Sequence, residues 1–336
     1  MKIWLLPIES LDQRYTAQWR DWWVNDLIEC GLDVTVIDGE NLTGSIEVGE
    51  FLDVFGTHFY KATQIQKTAA LLMEGAVKDD DVFLLLDAWS PIVTSLGYIR
   101  DAIGARWRIA GYLHAGTWDP WDYLALKGMG RWAANVERGW IEALDLIFVG
   151  SMYHRDLLRA RRGGGDKTYV VGCPIHADGW RRVYRAPWRD RARRVVFPHR
   201  LAVEKSPQEF DVVRDIYEQK YGQDGVTWFR TKDRQLPKDD YLRLLGESRA
   251  VVSTAQQETF GIAMVEGAIM GCYPIAPNRL AYPETLGYEG IALYSNLDHA
   301  AMLIKAALDS NRPCDYDARR YRRVVHKVAA IIKAGA

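Results

Sequence analysis

Residues 253–266 read STAQQETFGIAMVE and hold two carboxylates, Glu258 and Glu266, eight positions apart with Gly261 between them. An apolar run ends at Ser253, a turn follows, and the pattern predicts a helix opening near Thr259. A helix start offers free N–H groups and the positive end of the backbone dipole, which suits a diphosphate. Gly261 permits close backbone approach. With Thr259, Phe260 and Gly261 beside the phosphates, one of the carboxylates Glu258 and Glu266, about 12 Å apart if the stretch is helical, suits a sugar and the other ribose hydroxyls; a surface glutamate is the competing reading of Glu266. Ile262, Val265, Ile269 and Cys272 form an apolar stripe with Glu266 at its edge, and a carboxylate buried there needs partners.

The elements that must position these groups follow from the hydrophobic rhythm. Short apolar runs at 3–6, 34–37, 82–86, 107–113, 146–149 and 169–171 read as strands. Helical patterns at 14–28, 61–73 and 121–143 alternate with them. Nearly all-apolar strands between helices indicate a parallel sheet covered on both faces. Residues 177–194, with Pro187 and many arginines, break the rhythm and read as a linker. A second series follows at 195–197, 226–229, 250–253, 273–275 and 291–293. The expected architecture is α/β: two doubly wound Rossmann-like domains, at 1–180 and 190–315, with a cleft between them and a basic helical tail at 316–336. In such sheets ligands sit beyond the carboxyl ends of the strands. That rule selects Glu9, Asp87, Trp89, His114, Trp118, Asp119, the segments 199–205 and 230–232, and 254–261. Glu9, Trp89, Trp118 and Asp119 are assigned to the acceptor side. Asp87 suits either an acceptor-hydroxyl orienter or base, or a cap for the next helix.

Composition narrows the classes. The 336 residues are 48% hydrophobic and 26% charged, ordinary for about two globular domains. Cys30, Cys173, Cys272 and Cys314 are scattered without a C-x-x-C pair, which argues against zinc or a disulfide framework and fits a reducing cytoplasm. No apolar run of about 18 residues is present, so no membrane span is expected. The opening MKIWLLPIES lacks a basic leader and a cleavage site and reads as a core strand. The net charge is −1, yet residues 155–200 carry thirteen Lys/Arg against four Asp/Glu. Two readings stay open there: a solvated surface around a linker, and a polyanion-facing patch.

The E-x-F-G-I-x-x-x-E pattern of Glu258–Glu266 resembles the signature of the large retaining glycosyltransferase family with the GT-B fold. GCYPIAPNRLAYPE at 271–284 resembles the tRNA-queuosine mannosyltransferase branch. PIESLDQRY at 7–15 and LHAGTWD at 113–119 resemble glycosyltransferase-like proteins of bacteriophages. The resemblance implies that Arg200 and Lys205, in VVFPHRLAVEKSP, clamp the donor diphosphate. Fixed cations there stabilise charge developing on the leaving group, Arg by bidentate contacts and Lys as a point charge. It also implies a place for His114 near the donor sugar. A core histidine bonded to backbone is the competing reading.

Two departures matter. The glycine-rich loop after the first strand is replaced by Pro7, Ile8 and Glu9. No His/Cys ligand cluster is present, so a metal is not expected to be required. The expected activity is retaining transfer from a nucleotide sugar, a UDP-sugar above all, to a hydroxyl on a modified base in DNA. The enzyme would then work in a host cytoplasm if phage-encoded. A tRNA, surface-glycan or small-molecule acceptor, or a non-catalytic nucleotide-sugar-binding protein, are the alternatives. Oligomeric state is not legible.

Overall fold

The structure, a computed structural model, describes residues 1–10, 16–41, 53–231 and 236–335. The chain forms two compact units, Met1–Pro174 with Arg323–Ala336, and Ile175–Arg322.

The first unit carries a six-stranded parallel sheet, ordered β2-β1-β3-β4-β5-β6. Its strands are β1 (Lys2–Leu6), β2 (Asp33–Val36), β3 (Val82–Leu85), β4 (Arg108–Tyr112), β5 (Leu146–Val149) and β6 (Thr168–Val170). Strands such as VFLL and LIFV are buried at every position, so helices must cover both faces. Its helices are α1 (Thr16–Glu29), α2 (Val54–Met73), α3 (Ile92–Ile103), α4 (Tyr123–Leu126), α5 (Gly130–Ala143) and α6 (Met152–Arg162). At the amino ends of the strands, buried Asp81 accepts from the Lys2 amide at 2.7 Å and the Trp4 indole at 3.0 Å, tying β1 to β3.

The single helix expected over 121–143 is two, because Gly128 takes φ +75° and ends α4. The C-terminal tail is not a separate segment. Its last helix, Val324–Ala334 and numbered α14 below, buries Val324, Val325, Val328, Ala329 and Ile332 and packs on α1. Arg108 donates to the Ile332 carbonyl at 2.9 Å near that helix's end.

The second unit has a four-stranded parallel sheet, ordered β10-β9-β7-β8. Its elements are α7 (Trp180–Tyr184), β7 (Arg194–Phe197), α8 (Pro207–Tyr221), β8 (Thr227–Arg230), α9 (Lys238–Gly246), β9 (Ala250–Val252), α10 (Ile262–Ile269), β10 (Tyr273–Ile275), α11 (Tyr282–Thr285), α12 (Leu297–Asp309) and α13 (Arg319–Arg322). The tail helix α14 is Val324–Ala334. Three expectations need correction here. Residues 291–293 form no strand; the pairing shrinks to one bridge between Tyr294 and Pro277, whose ring nitrogen cannot extend the ladder. Residues 177–194 are no loose linker. Arg191 is buried and donates to the carbonyls of Ala186, Ser248 and Met270, and Arg181 donates to Ile269, so two arginines satisfy the carbonyl end of α10. The helix after β9 opens at Ile262 rather than Thr259, behind Gly261 at φ +87°.

No helix among the described residues is long and apolar enough to cross a membrane. Helix α10 is apolar nearly all round and lies close on β9. A Cβ at Gly267 would stand 2.6 Å from a Val251 methyl. Gly267→Ala is therefore expected to cost about 1–3 kcal/mol by overpacking, read as a fall of several degrees in Tm. An unchanged Tm would show that α10 can slide away from the sheet.

Candidate active site

In the second unit, β7 and β9 end side by side and deliver their following loops to one place. The backbone carbonyl of Glu204 accepts from the amides of Gln256 at 2.8 Å and Gln257 at 3.3 Å. Thr254 Oγ1 donates to the carbonyls of Lys205 and Ser206. Lys205 itself is buried. Its ammonium donates to the Gln257 carbonyl at 2.5 Å, to Gln257 Oε1 at 3.2 Å and to Glu258 Oε2 at 3.2 Å. Arg200 donates through Nε to Glu204 Oε1 at 2.7 Å, and Glu204 is buried. Burial alone would raise the pKa of Glu258, but Lys205 and the Gly261 amide outweigh it and hold the carboxyl below its usual range.

The residues around Gly261 divide by exposure. Phe260 is buried and meets Tyr321 edge-on at 5.2 Å. Thr259 is half-buried. A Cβ on Gly261 would stand 2.8 Å from the Tyr282 ring, so both its φ and its space demand glycine. Glu258 sits in an irregular loop, so the helical rise assumed between it and Glu266 does not apply. Glu266, 5% exposed on α10, has the partner that its burial demands: the ammonium of Lys238, at the start of α9. Burial and the Glu266 carboxylate push the neighbouring Tyr241 hydroxyl well above its ordinary pKa.

In the first unit the carboxyl ends of β3 and β4 bring Asp87 and His114 together. Asp87 Oδ2 accepts from Lys61 at 2.9 Å and Oδ1 from the Trp89 amide at 3.1 Å. It caps that turn and not α3, which starts without a side-chain cap. Burial would raise the pKa of Asp87, but Lys61 and His114 reverse this and hold it low. His114 Nε2 donates to the Leu86 carbonyl at 2.8 Å, between the rings of Trp19 and Tyr112. Burial lowers its pKa, against the opposing pull of Asp87, so the imidazole is neutral at pH 7. The backbone-bonded reading and the strand-end position thus hold together. Glu9, 8% exposed, accepts from Thr57 at 2.8 Å.

Trp118 corrects the acceptor-side expectation. It is 2% exposed within the core, its indole N–H reaching His154 Nε2 at 3.3 Å, so its faces are not available for stacking. Asp119 is buried and accepts from the Trp121 amide at 2.9 Å. Trp89 is half-buried, its indole bonded to Glu137. Trp121, by contrast, is 43% exposed. The basic stretch also divides. Arg162, Arg181, Arg191 and Arg193 serve internal partners, while Arg159, Arg161, Arg182 and Arg189 are exposed. The 7–15 segment lies partly outside the described residues, as does Lys232.

Sequence reasoning missed Lys61, Lys238 and a sealed network in the first unit. Glu137, 1% exposed, accepts from the Thr117 amide at 2.7 Å, Thr117 Oγ1 at 2.6 Å, Trp89 Nε1 at 3.0 Å and Arg162 Nε at 2.7 Å. It locks the loops after β3 and β4 to α5 and α6. Each partner lies more than 20 residues from Glu137 or on another element, so no local spacing announces it. Among the described residues no cluster of His, Cys, Asp or Glu has the makings of a metal site.

No family model matches the chain. A stretch of 90 residues is 40% identical to the tRNA-queuosine alpha-mannosyltransferase of Drosophila melanogaster; it is 27% of this chain and spans about a fifth, 22%, of that protein. The structure is similar over 99% of the chain to sucrose-phosphate synthase from Thermosynechococcus elongatus, covering 94% of it, with a TM-score of 0.64 and 13% identity. It is similarly close to HepE of Anabaena in complex with UDP and glucose, covering 99% of this chain and 95% of that one, at a TM-score of 0.58 and 13% identity. The chain has the GT-B fold. Two parallel α/β sheets in series are what the GT-B architecture requires.

Two outcomes are expected. Arg162→Ala leaves Glu137 buried without its cation and should cost about 3–5 kcal/mol, measured by chemical denaturation; a loss under 1 kcal/mol would show that the network is not tightly coupled. The depressed pKa values of Asp87 and Glu258 favour the folded state above the ordinary carboxylate pKa of about 4. That contribution is lost as pH falls through the lower folded values. Lys61→Met and Lys205→Met should remove it, so their stability deficit against wild type should narrow below pH 4. A deficit independent of pH would contradict the ion-pair account.

Proposed function

We propose that this chain is a nucleotide-sugar-dependent glycosyltransferase whose second unit binds the donor. The observation that carries this reading is the pairing of two cations, Arg200 and Lys205, with Glu204 and Glu258 where β7 and β9 end. Lys205 and Arg200 receive the diphosphate. As the glycosidic bond breaks, negative charge grows on the leaving phosphate, and cations already fixed in place stabilise it with little reorganisation. Glu258, kept ionised, faces the transferred sugar, and Glu266 binds the ribose. The UDP and glucose held by HepE, which shares the fold, support a UDP-sugar donor. Retention follows the resemblance of the Glu258–Glu266 segment to retaining enzymes. Catalysis proceeds without a required metal, because the cationic pair meets the diphosphate charge.

On the acceptor side Asp87 orients the hydroxyl, held ionised by Lys61, with neutral His114 beside it. The acceptor is a hydroxyl on a modified base in DNA. In the first unit, exposed Trp121 and the exposed arginines 159 and 161 support a polyanion with a stacked base. A tRNA base is the second reading, favoured by the 90-residue relative named for tRNA-queuosine.

Arg200→Ala and Lys205→Ala should each weaken UDP or GDP binding by about 1.5–3 kcal/mol. Unchanged affinity by calorimetry in both would remove them from the site. Glu258→Ala should keep nucleotide binding and lose turnover, since its contact matters most in the transition state; normal turnover contradicts that role. A panel of UDP- and GDP-sugars with hydroxymethylated DNA duplexes and tRNA, read by mass, separates the acceptors. Transfer to tRNA alone sinks the DNA reading. Activity should persist in EDTA, and a metal-reversible loss would overturn the metal-free mechanism.

A further inference from the structure

His199 is a buried polar side chain of the second unit that the proposed chemistry leaves unused. It stands just after β7, beside Arg200. Only 5% of its surface is exposed, and Phe197 meets its ring edge-on at 5.2 Å. Nε2 lies 2.8 Å from Ser253 Oγ. Nδ1 makes no hydrogen bond among the described residues and is not sealed from solvent. Lys205, Glu258 and Arg200 all act on the ring electrostatically, so it faces the same cluster.

The direction of the hydrogen bonds can be worked out from satisfaction alone. The Tyr282 hydroxyl is fully buried, and its partner is Ser253 Oγ at 2.6 Å. Ser253 Oγ also accepts, at 3.3 Å, from the Ala255 amide. If Tyr282 donates, Ser253 accepts two hydrogens and gives its own to His199 Nε2. The reverse order strands the Tyr282 hydrogen in the interior, where an unpaired donor bears its full desolvation cost. The chain therefore runs from Tyr282 to Ser253 to His199. Nε2 accepts, so the single hydrogen of the neutral ring sits on Nδ1 and points outward. Burial and Lys205 hold the imidazole pKa down to about 3, so the ring remains a neutral donor at any working pH.

We propose that His199 is a further binding residue for the donor diphosphate, its Nδ1–H donating to an anionic phosphate oxygen, with Ser253 and Tyr282 as positioning residues that set its tautomer. This rests on the donor reading of the second unit. An N–H donor calls for an acceptor atom, and the adjacent cations Arg200 and Lys205 call for an anion; a phosphate oxygen answers both. A neutral donor adds a directed bond without adding a third positive charge to crowd the other two.

The test is calorimetry of UDP and GDP binding to the full chain as wild type, His199→Asn, His199→Phe and Ser253→Ala, with nitrogen-15 NMR of labelled histidine. Asn retains an N–H donor; Phe retains a ring without one. His199→Phe is expected to lose about tenfold in affinity, the scale of one hydrogen bond to a charged group. His199→Asn should stay within about threefold of wild type, and the His199 resonances should report the Nδ1–H tautomer at neutral pH. Ser253→Ala should shift those resonances toward a tautomeric mixture and weaken binding. Wild-type affinity in a folded His199→Phe, or an Nε2–H tautomer in wild type, overturns the proposal alone. Failure of wild type to bind either nucleotide overturns the donor reading and this proposal with it. If His199→Phe does not fold, the tautomer and the His199→Asn affinity decide.

Discussion

The second unit turns on one buried ammonium. Lys205 is 6% exposed and is held by a carbonyl, an amide oxygen and a carboxylate from the loop after β9. An unpaired charge at that depth is strongly unfavourable, so the loop must keep its shape while Lys205 is present. The Glu204 carbonyl and the Thr254 hydroxyl stitch the same two loops from the backbone side. The strand-end loops are therefore rigid before any ligand arrives, which is the condition under which fixed charges act without reorganising.

The first unit solves the same problem with opposite polarity. There a buried carboxylate, Glu137, collects donors from three other elements and loops. Asp87 and His114 stand on the loops that this network braces. Lys61, reaching from α2, keeps Asp87 ionised despite its burial. In both units the groups at strand ends have perturbed pKa values because a low-dielectric setting is combined with one specific partner.

The arginines of residues 155–200 show why composition misleads about surfaces. Arg181 and Arg191 satisfy the carbonyl end of α10, Arg193 pairs with Asp224 and Asp309, and Arg162 is sealed with Glu137. A guanidinium offers five donors in a plane, so it suits the capping of orphan carbonyls as well as phosphate. Counting such residues along the chain overstates the charge presented to a partner.

The sequence by itself determined the two α/β sheets, ten of the eleven expected strands, and the strand-end positions of Asp87, His114, Arg200, Lys205 and Glu258. Those features rest on local periodicity and on the rule that parallel strands end at the site, both visible over short windows. Only the tertiary structure decided that Trp118 is core, that Glu266 answers to Lys238, that Glu137 and Arg162 brace the first unit, and that the tail helix α14 belongs with α1. It also decided which nitrogen of His199 turns outward. Each of these depends on contacts between residues far apart in the chain, where burial and hydrogen-bond satisfaction choose partners that no spacing along the sequence can specify.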